Sequence, residues 1–300
     1  MKKVLVTGGA GFVGLNIANF LADKNYRVLA IDIAPKPTLL SKKVKFIKAD
    51  ICSRKIGSYL KGVETVFHTA ALIKFEESIK DPAKYHNVNV NGTLNLLIRA
   101  IQSGVRRIIY SSSSSVYGSA RQVPQTEEML PGPQSPYAAQ KLFGEIYMKV
   151  WSDCYDIETV SLRYFNFYGP NNGKLSGVID TFLRRHKENK PLTIYGTGRQ
   201  KRSFLHIDDL VSANYKAMLS NKVGKGEVIN IGLDKSYSIK EVAKMVGGKV
   251  IHASIPNKTE DFQPYESLPA IKKAKKLLKW QPRIYLEEGI KLIKAKIEDK

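Results

Sequence analysis

The chain runs from a short apolar strand, Val4–Thr7, straight into the sequence TGGAGFVG (Thr7–Gly14) and from there into an amphipathic stretch, Val13–Lys24. This strand–glycine loop–helix order restricts the fold more than any other feature of the sequence. Gly8 and Gly11 allow a tight turn and the close approach of a pyrophosphate to the backbone, and Gly14 lets the helix pack against the strand. Phe12 and Val13 open that helix, where unpaired N–H groups and the helix dipole favour an anion. The next strand ends at Asp32, 18 residues beyond Gly14. A carboxylate there bonds both ribose hydroxyls and repels a 2′-phosphate, which selects NAD over NADP.

The same alternation continues. Apolar runs at Arg27–Asp32, Lys45–Ile47, Val63–His68, Arg107–Ser111 and Thr159–Arg163 read as strands buried on both faces. Amphipathic stretches at Ala83–Ser103 and Pro136–Trp151 read as helices between them. Right-handed crossovers turn such a series into an α/β, doubly wound parallel sheet of the Rossmann type. After about Asn166 the pattern loosens. Tyr168–Gly173 reads as a loop, Gly177–Asn189 as a helix, and Leu192–Tyr195, Ser203–His206 and Glu227–Asn230 as short strands. Pro256–Pro269 reads as proline-punctuated loop and Leu286–Ile297 as a helix. Residues 1–166 are therefore expected to form the NAD-binding domain, with later segments returning to it. Residues 167–300 are expected to form mainly a smaller, mixed α/β substrate-binding lobe over the carboxyl edge of the sheet.

Two further places bear on the cofactor. Asp50, followed by Ile51, ends the strand Val44–Ala49 and is within reach of an adenine amino group or, equally, of a helix start that it caps. Ala70 and Ala71 end another strand with side chains small enough for a cofactor to pass.

Proton-transfer chemistry is suggested by Ser135-Pro-Tyr-Ala-Ala-Gln-Lys141. If a helix starts near Pro136, Tyr137 and Lys141 lie one turn apart on one face. A free tyrosine, with a pKa near 10, is a poor base at neutral pH, and a neighbouring ammonium stabilises its phenolate. The same spacing also suits a core tyrosine with a lysine reaching past it. What distinguishes the two is YSSSSSVYG (Tyr110–Gly118), whose serines follow an apolar strand and so line a polar pocket.

With these motifs in place, the chain resembles the extended short-chain dehydrogenases/reductases, in particular the NAD-dependent epimerase/dehydratase family and its UDP-glucose 4-epimerase-like nucleotide-sugar enzymes. The resemblance is carried by TGGAGFVG, Asp32, Asp50-Ile51, HTAA (His68–Ala71), NVNGT (Asn89–Thr93), SSSSSVYG, SPYAAQK, LRYFNFYGP (Leu162–Pro170) and TIYGTGRQKRSFLHIDDL (Thr193–Leu210). It implies that Ser113, Tyr137 and Lys141 are catalytic, with Tyr137 as acid/base and Lys141 on the nicotinamide ribose. It implies that Asn89, Ser111 and Tyr164 lie on or support the cofactor, and that Ser113, Tyr137, Asn166, Val178, Tyr195 and Arg202 meet a nucleotide-diphosphate sugar. A homodimer, paired through the helices near Ala83–Ser103 and Pro136–Trp151, is implied as well. Where related 4,6-dehydratases carry an Asp-Glu pair after the catalytic Thr, this chain has Ser114 and Ser115, which counts against dehydration. Where the family often has Arg-Pro-Gly-Asp, it has Lys258–Asp261, and lysine lacks the planar fork that grips a phosphate.

Composition bounds the alternatives. The net charge of +21, from 48 Lys+Arg against 27 Asp+Glu, is spread over single and paired lysines without a nucleic-acid-binding motif. We expect no nucleic-acid partner; a positive field of this kind draws anionic substrates. Cys52 and Cys154 are isolated, and His68, His186, His206 and His252 have no ligand spacing, so no metal site is expected. No run of about 18 apolar residues exists to span a membrane, and the N-terminal apolar stretch is too short and glycine-rich for a signal peptide, so a cytoplasmic enzyme is expected. The leading expectation is an NAD-dependent nucleotide-sugar 4-epimerase. A dehydrogenase/reductase acting on another hydroxy or keto substrate, and a non-catalytic dinucleotide-binding protein, remain as alternatives.

Overall fold

The computed structural model describes residues 2–119, 122–170, 177–254 and 265–298. The N-terminal half alternates as the apolar pattern requires: β1 (Lys3–Thr7), α1 (Phe12–Asp23), β2 (Arg27–Asp32), β3 (Lys45–Lys48), α2 (Ile56–Leu60), β4 (Thr65–His68), α3 (Phe75–Lys80), α4 (Pro82–His86), α5 (Gly92–Gln102), β5 (Arg107–Ser113), α6 (Pro136–Cys154) and β6 (Glu158–Tyr164). The second half is made of shorter pieces: β7 (Phe167–Tyr168), α7 (Val178–Lys187), β8 (Leu192–Tyr195), β9 (Lys201–Ser203), β10 (Leu205–His206), α8 (Ile207–Leu219), β11 (Lys225–Ile231), β12 (Ser236–Ser238), α9 (Ile239–Val246), β13 (Val250–Ala253), β14 (Glu266–Ser267), α10 (Lys272–Leu278) and α11 (Leu286–Glu298).

Seven strands form one parallel sheet in the order β11-β6-β5-β4-β1-β2-β3. The order reverses after β1: β2 and β3 lie to one side, β4, β5, β6 and β11 to the other. That reversal opens the crevice at the carboxyl ends of the strands where sheets of this kind bind ligands. One apolar layer, including Ile17, Leu21, Leu210 and Ile231, fills the side facing α1 and α8. The other, including Leu5, Leu96, Ile108 and Met148, fills the side facing α2, α5 and α6. A third cluster around Phe182, Ile194, Tyr237 and Ile290 packs among the shorter elements of the second half.

Three differences from the sequence-based expectation have physical causes. The helix expected over Ala83–Ser103 is interrupted by a π-turn at Asn87–Asn91, the kind of local widening that occurs often at functional sites. Strand β5 continues two residues beyond Ser111, because Ser112 and Ser113 pair with Arg163 and Tyr164 of β6. The strand expected at Glu227–Asn230 is β11, which lies in the main sheet beside β6. Helix α8 brings the chain back there, with Leu210, Ala213 and Ala217 buried against the sheet.

Candidate active site

A cleft of about 790 Å³ lies over the carboxyl ends of β1, β2, β4 and β5. Gly8, Gly11, Phe12, Val13, Gly14, Asp32, Asp50, Ile51, Ala70 and Ala71 all line it, together with Ser111, Ser113, Tyr137, Lys141, Tyr164 and Asn166. Gly8 and Gly14 stand where nothing larger fits. Gly8 has a φ of +68°, and a Cβ there would lie 2.7 Å from the Ala70 nitrogen. A Cβ on Gly14 would lie 2.2 Å from the Gly8 carbonyl oxygen. Helix α1 begins at Gly11 with no side chain capping it, so its first amides remain free to meet an anion in the cleft.

The Asp32 carboxylate is fixed at the end of β2 by two backbone donors, Ala10 N–H and Ala34 N–H, each at 2.9 Å. Asp50 lines the cleft and also accepts from the Cys52 N–H at 2.8 Å, so it closes its own turn. His68 is fully buried between Thr7 (2.8 Å) and Thr93 (2.9 Å). Burial, with Lys141 nearby, pulls its pKa down to about 3, so the ring is neutral. Thr7 also receives the Ala70 N–H at 3.2 Å, which holds the Ala70–Ala71 loop over β1.

Asn89 does not line the cleft. Its side chain is buried, accepts from the Leu72 N–H at 2.8 Å and donates to the Leu72 carbonyl (2.9 Å) and to Gln140 (3.0 Å). It therefore acts through the loop after Ala71, tying it to α6.

Tyr137 and Lys141 come together with Ser113. Ser135 caps α6 by accepting from the Ala138 N–H at 3.1 Å, and Pro136 occupies the first turn. This start places Tyr137 and Lys141 one turn apart on the face against β5. Lys141 is 4% exposed, and its ammonium donates to the Ser111 carbonyl at 2.8 Å and lies 5.0 Å from the Tyr110 ring centre. Burial lowers its pKa to about 7, partly offset by the nearby Glu145. Burial also raises the Tyr137 hydroxyl above its ordinary value, against a hydrogen bond from Ser113 that lowers it. Close packing makes this possible: α6 crosses β5 at Gly144, where a Cβ would stand 2.2 Å from the Tyr110 hydroxyl. On the facing strand Tyr164 donates to Asn214 at 2.8 Å and lies 3.1 Å from the Ser111 hydroxyl.

Two smaller hollows, each of about 240 Å³, continue from this point. The first shares Ser113, Tyr137 and Asn166 with the cleft and is closed by Tyr117, Gln125, Arg202 and Ser267. The second runs past Asn166, Val178, Gln200, Arg202 and Phe204. Asn166 thus faces all three spaces, and Arg202 stands between the two hollows. The Arg202 guanidinium donates to the carbonyls of Lys201 (2.8 Å) and Tyr265 (3.3 Å), and burial lowers its pKa.

Tyr195, expected at the substrate, is in none of these spaces. Strand β8 alternates, with Leu192 and Ile194 turned into the lobe core, so Tyr195 points outward and is 48% exposed. Lys258–Asp261 lie outside the described residues. Sequence reasoning missed Gln125, Gln134 and Ser267 in the first hollow, since no motif links positions so far apart. It also missed Phe167, whose ring stacks on Phe12 at 6.2 Å beside the glycine loop. Among the described residues no three His, Cys, Asp or Glu side chains cluster to hold a metal ion, both cysteines are free thiols, and no helix is long and apolar enough to cross a membrane.

The model of the NAD dependent epimerase/dehydratase family matches residues 4–232. A putative UDP-glucose 4-epimerase of Methanocaldococcus jannaschii is 34% identical over 97% of this chain and 96% of its own length. The crystal structure of UDP-glucose 4-epimerase with UDP-glucose from Thermotoga maritima superposes with a TM-score of 0.91 at 31% identity, covering 99% of both chains. UDP-glucuronic acid 4-epimerase of Bacillus cereus, in complex with UDP-glucuronic acid and NAD, superposes with a TM-score of 0.88 at 31% identity and the same coverage.

Proposed function

The chain belongs to the NAD-dependent epimerase/dehydratase family, and we propose that it inverts C4 of a nucleotide-diphosphate sugar through a transient 4-keto sugar. The observation that carries this reading is the position of Ser113 and Tyr137. Both line the large cleft and the adjoining hollow, so one hydroxyl pair faces a cofactor on one side and a sugar on the other.

The cleft fits NAD. The spaces that Gly8 and Gly14 leave, the uncapped start of α1 and the Asp32 carboxylate suit a pyrophosphate followed by an unphosphorylated adenine ribose. Asp50 and Ile51 flank the adenine end, and Ala70, Ala71 and Tyr164 the middle and nicotinamide end, with Asn89 holding the loop. Bound NAD supplies the hydride acceptor and, in the return step, the donor.

Tyr137 takes the proton of the C4 hydroxyl and later returns it, and Ser113 holds that hydroxyl by bonding both it and Tyr137. Lys141, in its charged form, stabilises the phenolate and faces the nicotinamide ribose. Arg202 and Asn166 take the diphosphate. Val178 flanks the nucleoside in the second hollow. Turning of the 4-keto sugar in the pocket would present its other face to the bound cofactor. In this reading residues 1–166, with α8, β11 and α10, bind the cofactor, and the remainder of 167–300 binds the substrate.

Helix α6 exposes Phe143, Ile146 and Val150 on one stripe, and α5 exposes Ile98. Such spacing suits the pairing of both helices with a second copy across a two-fold axis, as a homodimer. A sugar-nucleotide substrate and two free thiols suit the cytoplasm. The test is to incubate the purified protein with UDP-glucose, UDP-N-acetylglucosamine and UDP-glucuronic acid. Formation of a C4 epimer without net redox change, lost in Tyr137→Phe, supports the reading. Stoichiometric cofactor reduction by another alcohol, with no epimer from any of the three, replaces it with a simple dehydrogenase.

A further inference from the structure

Beneath the catalytic face lies a buried ion pair that the chemistry above does not use. Glu145 follows Lys141 by one helical turn and Tyr137 by two, and like Lys141 it is 4% exposed. Its carboxylate accepts from Arg163 Nε at 2.9 Å and from Arg163 Nη2 at 2.7 Å, and also from the Ser112 hydroxyl. Arg163 lies on β6 with its guanidinium 4.6 Å from the Tyr117 ring centre. Removing two charges from water is costly, and an apolar pair of the same size often serves stability as well. A pair in this place is therefore better explained by what it holds.

What it holds is the reaction centre. Ser112 lies between Ser111, whose carbonyl takes the Lys141 ammonium, and Ser113, which bonds Tyr137. The bracing extends outward. The Tyr117 hydroxyl donates to Asn230 at 2.7 Å, and Asn230 donates to the Gln125 carbonyl at 3.0 Å. Gln125 in turn accepts from the Leu268 N–H at 2.8 Å, next to Ser267 in the wall of the first hollow.

We propose that Glu145 is a positioning residue of the reaction centre: clamped by Arg163 and Ser112, its carboxylate fixes the Lys141 ammonium and the Ser111–Ser113 strand end against each other beneath Tyr137. This rests on the epimerase reading for its catalytic consequence, though not for the coupling itself. The groups near Lys141 are His68 on β4, Tyr110 on β5 and Glu145 on α6; Tyr137 and Tyr164 line the same cleft, Arg163 of β6 is bonded to Glu145, and Tyr85 of α4 lies near Tyr137. Of these, Glu145 is the one whose negative charge favours the ammonium. His68 is neutral, and the tyrosines ionise only at high pH.

Glu145→Gln keeps the shape and removes the charge. The experiment follows the side-chain amine of Lys141 by NMR of lysine-labelled, full-length protein, where it titrates apart from the surface lysines. In parallel it follows kcat against pH with the three sugar nucleotides. The expected result is a Lys141 titration displaced by about one pH unit to lower pH, an alkaline limb of kcat displaced with it, an unchanged KM, and restoration of the titration and of the alkaline limb in Glu145→Asp. If Glu145→Gln does not fold because Arg163 is left unpaired, Glu145→Gln with Arg163→Met removes both buried charges; the Lys141 titration is then expected to move to lower pH by less than in the single variant, because a cation has gone with the anion, while kcat still falls at unchanged KM. An unmoved Lys141 titration in a folded variant overturns the proposal. A displaced titration in a protein that epimerises none of the three sugar nucleotides supports the coupling and overturns the epimerase reading instead.

Discussion

Lys141 donates to the carbonyl of Ser111 across 2.8 Å, joining the helix that carries Tyr137 to the strand that carries Ser113. One buried ammonium thereby sets the distance between the proposed acid/base and its partner hydroxyl. Because burial brings Lys141 down to about 7, its charge is sensitive to every neighbour. Chemical competence at this site depends on electrostatic upkeep as much as on geometry.

Tyr137→Phe removes the proposed proton carrier and leaves the helix start intact, since the Ser135 cap and Pro136 remain. We expect kcat to fall about 100- to 10,000-fold, with Tm and NAD retention close to wild type. Calorimetry and turnover measured on one preparation check this. A variant with more than a tenth of wild-type kcat contradicts the assignment.

Asp32→Ala removes the carboxylate proposed to meet the adenine ribose and also frees the Ala10 and Ala34 amides. NAD binding should weaken about 10- to 100-fold, in line with about 1.5–3 kcal/mol for a hydrogen bond to a charged group. NADP binding should weaken less or improve, because the repulsion is gone. Titration calorimetry with both cofactors decides, and an unchanged NAD preference is the contrary outcome.

His68 makes stability depend on acidity. In the folded protein it is held neutral down to about 3, whereas in the unfolded chain it protonates near its ordinary 6.5. The unfolded state thus binds more protons in this interval. The contribution of His68 is complete above 6.5 and is lost progressively as pH falls from 6.5 toward 3. His68→Gln, neutral throughout, should lower Tm at neutral pH by breaking the contacts to Thr7 and Thr93, yet show a shallower fall of Tm on acidification. Parallel slopes for the two proteins would contradict this role.

Phe143→Glu together with Ile146→Glu places two charges on the exposed stripe of α6 without touching its buried face. Sedimentation should show a wild-type dimer and a variant monomer with unchanged helix content. A wild-type monomer at micromolar concentration is the opposing result.

The residues that line the large cleft were legible where their spacing is local. TGGAGFVG, Asp32 and Tyr137-x-x-x-Lys141 each lie within one turn, one strand end or one helix, where spacing dictates geometry. The parallel sheet was legible for a similar reason, since strands buried on both faces leave continuous apolar runs. The substrate side is assembled differently. Its first hollow draws on Phe75, Tyr117, Gln125, Gln134, Arg202 and Ser267, which only the tertiary fold brings together. Tyr195 stands outside the described hollows because the two-residue alternation of a short strand decides which way it points. Asn89, expected on or supporting the cofactor, is bonded instead to Leu72 and Gln140, contacts that no local spacing announces. Glu145 carries no signature at all. On the sequence it is one more polar residue of an amphipathic helix, and only Arg163, from a different strand, gives it meaning.

The most direct test of the central claim is the fate of the hydrogen on C4. UDP-glucose, UDP-N-acetylglucosamine and UDP-glucuronic acid, each deuterated at C4, are incubated with the protein in ordinary water, and the C4 epimers are analysed by mass spectrometry and NMR. Inversion by hydride removal and return within one active site predicts an epimer that keeps its deuterium at C4. Loss of the label to solvent, or no epimer from any of the three, would contradict the account.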